Sequence, residues 1–205
     1  MIARYLALCA ALIVPGLAAA SVAGQPLPAP SKYATSNYAV AFDVPRSTTY
    51  CPLPKDWVGS DHGTTIFLTP PKLCGGAGYP SSSRGFEPAR TPRIEVYYGY
   101  TDSVSEPAPC HLAGHARLFE REEALCSDKQ DGLAILTVHG NYDADEPAEI
   151  QLSLVASAQD QPRYAKAFLA LVASVHACKA SWPDSRNPKK VSFIGHGPPC
   201  DAKWF

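Results

Sequence analysis

Six cysteines are spread along the chain at positions 51, 74, 110, 126, 178 and 200, and a seventh, Cys9, lies near the N-terminus. An even number of cysteines in an exported chain is typical of a disulfide framework. The alternative, a zinc site built from thiolates, requires closely spaced pairs of the Cys-x-x-Cys kind, and the sequence has none. The sequence therefore predicts disulfides made by Cys51, Cys74, Cys110, Cys126, Cys178 and Cys200.

The simplest connectivity pairs these cysteines in sequence order, as Cys51–Cys74, Cys110–Cys126 and Cys178–Cys200. Each bond closes a loop of roughly 15 to 25 residues, which stabilises a domain by about 3 kcal/mol in the chain-entropy model. The other connectivities stay open at this point, because spacing alone does not determine the pairing.

The first 23 residues have the pattern of a secretory signal peptide. Arg4 precedes an apolar run from Leu6 to Val14, and small residues that fit the cleavage rule follow at 18–20 and 21–23. A buried N-terminal helix is the alternative. Cleavage removes Cys9, leaves six cysteines and changes the formal net charge from −1 to −2. The sequence has no Asn-x-Ser/Thr site, which favours a bacterial source, so we expect a periplasmic or secreted protein.

Composition excludes several classes of protein. Hydrophobic residues make up 46% of the chain, too many for a charge-driven disordered protein. The slightly negative net charge disfavours nucleic-acid binding through a basic surface. The apolar run of the leader is too short to span a membrane, so no membrane span is expected after cleavage. No cofactor is expected either.

Three regions are predicted: a signal peptide at 1–23, a Pro/Ala linker at 24–35 and a single domain at 36–205. Polar and apolar residues alternate clearly at 93–100, where Ile94, Val96, Tyr98 and Tyr100 share one face. The predicted strands are 38–44, 63–69, 93–100, 133–138 and 149–156. A helix is predicted at 112–125, although Gly114 weakens it.

A second helix is predicted near the C-terminus, with Asp160 as its N-cap, Pro162 in its first turn and Cys178 at its end. Its apolar residues follow helical spacing from Tyr164 to Val175. This order of elements predicts an α+β fold: an antiparallel sheet of about five strands with a C-terminal amphipathic helix packed on one face, stapled by disulfides.

Two segments resemble PsbP-like domains. The phrase YAVAFDVP, followed by Trp57, is similar to the opening of these domains, and the strand EIQLSLVAS with the helix RYAKAFLALVASV is similar to their ending. The long Gly- and Pro-rich segment between Pro70 and Pro92 and the three predicted disulfides depart from that pattern. The resemblance implies a non-enzymatic α+β accessory domain and carries over no functional residues.

Histidines form the candidate metal site. His111 and His115 would share one face of a helix, and Asp61 or His62 could supply a third ligand. The HExxH pattern is absent, because Leu112 stands where the general-base glutamate would be. Hydrogen-bonded or surface histidines are the alternative interpretation.

Charge is unevenly distributed along the chain. Residues 120–149 carry a net charge of −7, whereas the tail 179–205 carries +3. Two solvated surfaces would explain this division; the functional interpretation is a polarised surface for a charged protein partner. The partner-binding candidates are Tyr97, which is predicted to point outward, and Asp143, Asp145 and Glu146.

These observations predict an exported, disulfide-stabilised binding or inhibitory module, in its sharpest form an immunity-type protein that neutralises a toxin acting in the periplasm. A metal-assisted hydrolase that uses the histidines and a structural accessory protein of the envelope are the alternatives. No coherent set of catalytic residues is found in the sequence, and the oligomeric state is left open.

Overall fold

The computed structural model describes residues 25–35, 38–51, 63–71, 74, 91–100, 110–143, 147–184, 187–194 and 199–200. The strands before the helix are β1 (Leu27–Pro28), β2 (Lys32–Thr35), β3 (Val40–Asp43), β4 (Thr49–Tyr50), β5 (Gly63–Phe67), β6 (Arg93–Tyr100), β7 (His111–Leu118), β8 (Arg121–Gln130), β9 (Leu133–Asp143) and β10 (Pro147–Ser157). Helix α1 covers Gln161–Ser174 and is followed by β11 (His176–Ala177), β12 (Ala180–Asp184) and β13 (Asn187–Ile194).

Eight of these strands form one antiparallel sheet in the order β1-β4-β5-β6-β10-β9-β8-β7. The strands from β7 to β10 follow one another as a meander, and β10 then pairs with β6. Leu152 of β10 lies opposite Val96 and Val138 on its two neighbours, and all three side chains are buried. The α+β class is confirmed, but the sheet has eight strands where about five were predicted.

The alternation in β6 is confirmed by burial. Ile94 and Tyr98 are fully buried and Val96 is nearly so, whereas Tyr97 between them is 38% exposed. Successive side chains of a strand point to opposite faces of the sheet. One face of β6 therefore belongs to the core under the helix, and the other face carries Glu95 and Tyr97.

Helix α1 covers the core face of the sheet. Phe168, Leu171 and Val172 recur at helical spacing and are buried against it. Asp160 precedes the first turn but makes no capping hydrogen bond with its side chain; its carboxylate accepts one from the Ser157 hydroxyl at 2.7 Å. The helix ends at Ser174, so the prediction that it reaches Cys178 is wrong.

The early end of α1 has a local cause. Val175 adopts an extended conformation (φ −63°, ψ 127°), and the chain turns there into β11. β11 pairs with β3, which also pairs with β2, so this three-stranded sheet joins the two ends of the described chain. The backbone N–H of Cys178 extends the contact by donating to the carbonyl oxygen of Ala39 at 2.8 Å.

The helix predicted at 112–125 is also wrong: this segment forms the hairpin β7–β8. Phe119 and Glu120 form its turn, and both have positive φ angles, 47° and 63°. Such a turn matches the twist of a hairpin, but it is normally marked by glycine or asparagine. Ala116 and Leu118 point to the core and alternate with exposed neighbours, which is strand rather than helix periodicity.

The sequential disulfide pairing is confirmed. The bonds join Cys51 to Cys74, Cys110 to Cys126 and Cys178 to Cys200. Cys51, Cys74 and Cys178 are buried, whereas Cys110 is exposed and Cys126 is half-buried. The Cys110–Cys126 bond, which joins the residue before β7 to β8, is therefore the most accessible of the three.

The predicted signal peptide at 1–23 lies outside the described residues. The predicted linker at 24–35 and the predicted domain at 36–205 are described in part. Within the linker segment, β1 pairs with β4 and β2 pairs with β3. Two short parts of the Pro/Ala segment therefore lie against the folded domain.

Candidate functional site

The face of the large sheet opposite α1 is polar across its three central strands. Strand alternation places on it the side chains of Glu95 and Tyr97 on β6, Glu149, Gln151 and Ser153 on β10, and Thr137, His139 and Asn141 on β9. We call these residues the polar face. They lie on long, mutually paired strands, so their backbone positions are held by the sheet and do not depend on a loop.

Half of the polar face is occupied by internal hydrogen bonds. Arg93, which is itself buried, donates from Nε to Oε1 of Glu95 at 2.6 Å. The hydroxyl groups of Thr137 and Ser153 are 3.1 Å apart, and the Gln151 amide nitrogen lies 3.4 Å from the Ser153 oxygen. These bonds satisfy buried polar groups, as a folded sheet requires.

The other half contains a histidine–glutamate pair. His139 Nε2 lies 2.8 Å from Oε2 of Glu149, a distance at which the ring N–H donates to the carboxylate. The Glu149 side chain is only 8% exposed, whereas that of His139 is 36% exposed. The second carboxylate oxygen, Oε1, is buried and has no hydrogen-bond partner. A buried carboxylate with one unpaired oxygen is unusual, because the missing bond carries a desolvation cost.

Sheet register explains how the carboxylate comes to lie there. Glu149 pairs with Gly99 on β6 and with Asn141 on β9. Gly99 brings no side chain to this row of the polar face. Next along β10, Gln151 lies between Tyr97 and His139. An aromatic ring, an amide and an imidazole therefore lie side by side, two residues along β10 from the buried carboxylate.

This arrangement lacks the geometry of a hydrolytic site among the described residues. Ser153 is buried, and its hydroxyl group is hydrogen-bonded to that of Thr137. Nε2 of His139 is hydrogen-bonded to the carboxylate of Glu149. A nucleophile must lie within hydrogen-bond reach of its general base. The polar face can offer hydrogen bonds, an aromatic surface and negative charge, which are the elements of a binding surface.

The predicted metal ligands lie elsewhere. His62 is outside the described residues, and His111 and His115 are exposed on β7, where a bulge between Leu112 and Gly114 interrupts the register. The two histidines therefore do not share a helix face, which was the basis for grouping them. In the part of the chain that the structure describes, no group of three or more His, Cys, Asp or Glu residues is placed to hold a metal ion.

Of the predicted partner-binding residues, Tyr97 lies on the polar face and is exposed, as predicted from its position in β6. Asp143 ends β9, and its backbone pairs with Pro147. The side chain of Asp143, together with Asp145 and Glu146, lies outside the described residues.

The sequence reasoning missed His139 and Glu149 as a pair. The predicted strand stopped at residue 138, yet period-two alternation places His139 on the same face as Thr137. Glu149 was counted only as one of the acidic residues. Its position before buried Ile150 was the available signal, because it puts a carboxylate on the face opposite the core.

Within the described ranges, no helix has the length and apolar character needed to cross a bilayer. The resemblance to PsbP-like domains stays an expectation based on the sequence. No protein-family model, no curated protein and no solved structure matches this chain.

Proposed function

We propose that the protein is a periplasmic or secreted binding module that contacts a protein partner through the polar face. The observation that carries the proposal is the buried Glu149 carboxylate beside exposed polar and aromatic side chains on three central strands. The three disulfides support an oxidising compartment, because such bonds persist outside the cytosol.

The chemistry of the polar face favours recognition. Tyr97 combines a large apolar ring with a hydroxyl group, and tyrosine is enriched among residues that dominate binding energies. Gln151 and Asn141 are exposed and offer both donors and acceptors. Because these groups project from paired strands, a partner would meet a surface that is already ordered, which lowers the entropic cost of binding.

The sharper form of the proposal is an immunity-type protein that neutralises a toxin acting in the periplasm. The predicted signal peptide, the three disulfides and the separation of an acidic from a basic segment along the sequence support it. Co-expression with the product of a neighbouring gene, followed by co-purification, tests this form. A structural accessory role in the envelope is tested by a pull-down in which the purified protein is incubated with envelope extract.

The decisive experiment places a photo-crosslinking residue, p-benzoylphenylalanine, at one exposed position on each face. Gln151 reports on the polar face, and Ala170 on α1 is the matched control on the opposite side. In the envelope of the native host, we expect a discrete crosslinked protein with the Gln151 probe and none with the Ala170 probe. Equal crosslinking from both positions, or none from Gln151, would contradict the proposal.

A further inference from the structure

The geometry points to a cationic partner: we infer that the polar face binds a lysine- or arginine-bearing surface at the end where β9 leads into β10. This inference rests on the proposed function and names the chemistry of the partner. It starts from Glu149, whose side chain is buried although it lies on the exposed side of the sheet.

The charge of Glu149 is only partly compensated. One carboxylate oxygen accepts a hydrogen bond from His139, and the other has no partner. A charge surrounded by protein is screened less than one in water, so its field at the surface above it is comparatively strong. A cation that docks over this position would gain more from Glu149 than from a fully solvated acid.

Among the described residues, the basic side chains of this part of the sheet lie on strands other than the two that carry His139 and Glu149, as Arg121 and Lys129 do on β8. The segments 133–143 and 147–157 contain neither lysine nor arginine. Arg93 is the basic residue of β6, and it lies opposite Val155 near the far end of β10, where it is bonded to Glu95. Within the described part of the chain, Glu149 therefore has His139 as its partner and no lysine or arginine paired with it.

The exposed neighbours suit a guanidinium or ammonium group. Tyr97 presents an aromatic ring that is 38% exposed, and cations are attracted to the faces of such rings. The side-chain oxygens of Gln151 and Asn141 can accept hydrogen bonds from the same group. Arginine fits this combination best, because its planar fork can stack on a ring and donate several hydrogen bonds at once.

The inference is tested by NMR titration of ¹⁵N-labelled mature protein. The probe is a twelve-residue peptide of alternating arginine and serine, and the matched control is the peptide of alternating glutamate and serine. We expect saturable shifts of the backbone amides of Tyr97, His139, Asn141 and Gln151 with the arginine peptide, weakening as salt is added. The glutamate peptide should shift none of them.

Two isosteric substitutions separate a local effect from a change in net charge. Glu149→Gln removes the buried charge, whereas Glu122→Gln removes the charge of an acid on β8 whose side chain is 78% exposed. We expect Glu149→Gln to weaken arginine-peptide binding about tenfold, and Glu122→Gln to change it by less than about twofold. Tyr97→Leu, which removes the exposed ring of the polar face, is a second variant and should also weaken binding.

Equal effects of Glu149→Gln and Glu122→Gln would overturn the inference, as would shifts confined to the β7–β8 hairpin or the absence of any shift. These results are distinguishable from failure of the proposed function. If a partner crosslinks to position 151 but its binding depends neither on salt nor on Glu149→Gln, the proposed binding face stands and the inference of a cationic partner is refuted. The absence of any crosslink at position 151 would refute the binding face itself.

Discussion

Replacing His139 with alanine should destabilise the protein through the carboxylate that it leaves behind. His139 is the hydrogen-bond partner that the structure gives Glu149, and the Glu149 side chain is 8% exposed, so water cannot fully replace the lost bond. Leaving a buried acceptor unpaired costs about 1–3 kcal/mol, and more when it is charged. The imidazole is 36% exposed, so its own loss of packing adds little. We expect a loss of about 2 kcal/mol.

Urea unfolding at neutral pH measures this loss as a change in midpoint at constant m. In a domain of this size the melting temperature should fall by about 4–8 °C. Asn141→Ala, two residues along the same strand and on the same face, is the matched control and should stay within about 0.5 kcal/mol of the parent.

The cause is isolated by a double-mutant cycle. In the His139→Ala background, Glu149→Gln should restore about 1 kcal/mol, because a neutral amide is less costly to bury than an unpaired carboxylate. The same substitution in the parent protein should be neutral or destabilising. If His139→Ala costs no more than Asn141→Ala, or if Glu149→Gln has the same effect in both backgrounds, then the pair is not coupled and the reasoning is wrong.

Three further perturbations test the fold. Under limiting reductant, mass spectrometry should find Cys110–Cys126 opened first, because the other two bonds contain buried sulfurs; simultaneous reduction would argue against this order. Tyr142→Phe removes a buried hydrogen bond of 2.9 Å to the carbonyl oxygen of Tyr38 and should cost about 1 kcal/mol in urea; an unchanged midpoint would contradict it. Gly63→Ala would place a Cβ atom against the backbone carbonyl oxygen of Val96 on β6, so the melting temperature should drop, with about 1–3 kcal/mol of stability lost; a melting curve equal to that of the parent would contradict this prediction.

Elements with a single strong periodicity were predictable from the sequence. In β6, alternation over eight residues gave the bounds 93–100 and the buried face, and the structure has the same strand. Helix α1 was located by apolar residues at helical spacing, with Phe168 and Leu171 at its buried centre. Its end was not predictable in the same way, because pairing of β11 with β3, remote in sequence, determines where the chain leaves the helix.

The hairpin β7–β8 was not predictable from local preferences. Its residues include several good helix formers, and its turn at Phe119 and Glu120 lacks the residues that usually allow positive φ angles. The adjoining turn between β8 and β9 does carry such a signal, in Asp131 and Gly132. Pairing of β8 with β9 in the folded sheet therefore outweighs the local helix propensity of this segment.

The candidate site shows a different limit. The sequence indicates that Glu149 and Tyr97 point away from the core, but it does not indicate that β6 and β10 are neighbours. Only the sheet order brings Tyr97 beside Gln151, and only the register places His139 next to Glu149. A pair of residues ten positions apart, joined across two strands, leaves no pattern that a single sequence can show.

The three-stranded sheet of β2, β3 and β11 also sets an order of assembly. Because a chain is synthesised from its N-terminus, the meander β7–β10 can be completed once residue 157 has emerged, since each of its hairpins joins strands that are close in sequence. β3 can pair with its second neighbouring strand, β11, only after His176 and Ala177 have been made. β3, a buried strand from the first quarter of the chain, is thus among the last to gain all its neighbours, and the Cys178–Cys200 bond beside it can form only after residue 200 has been made.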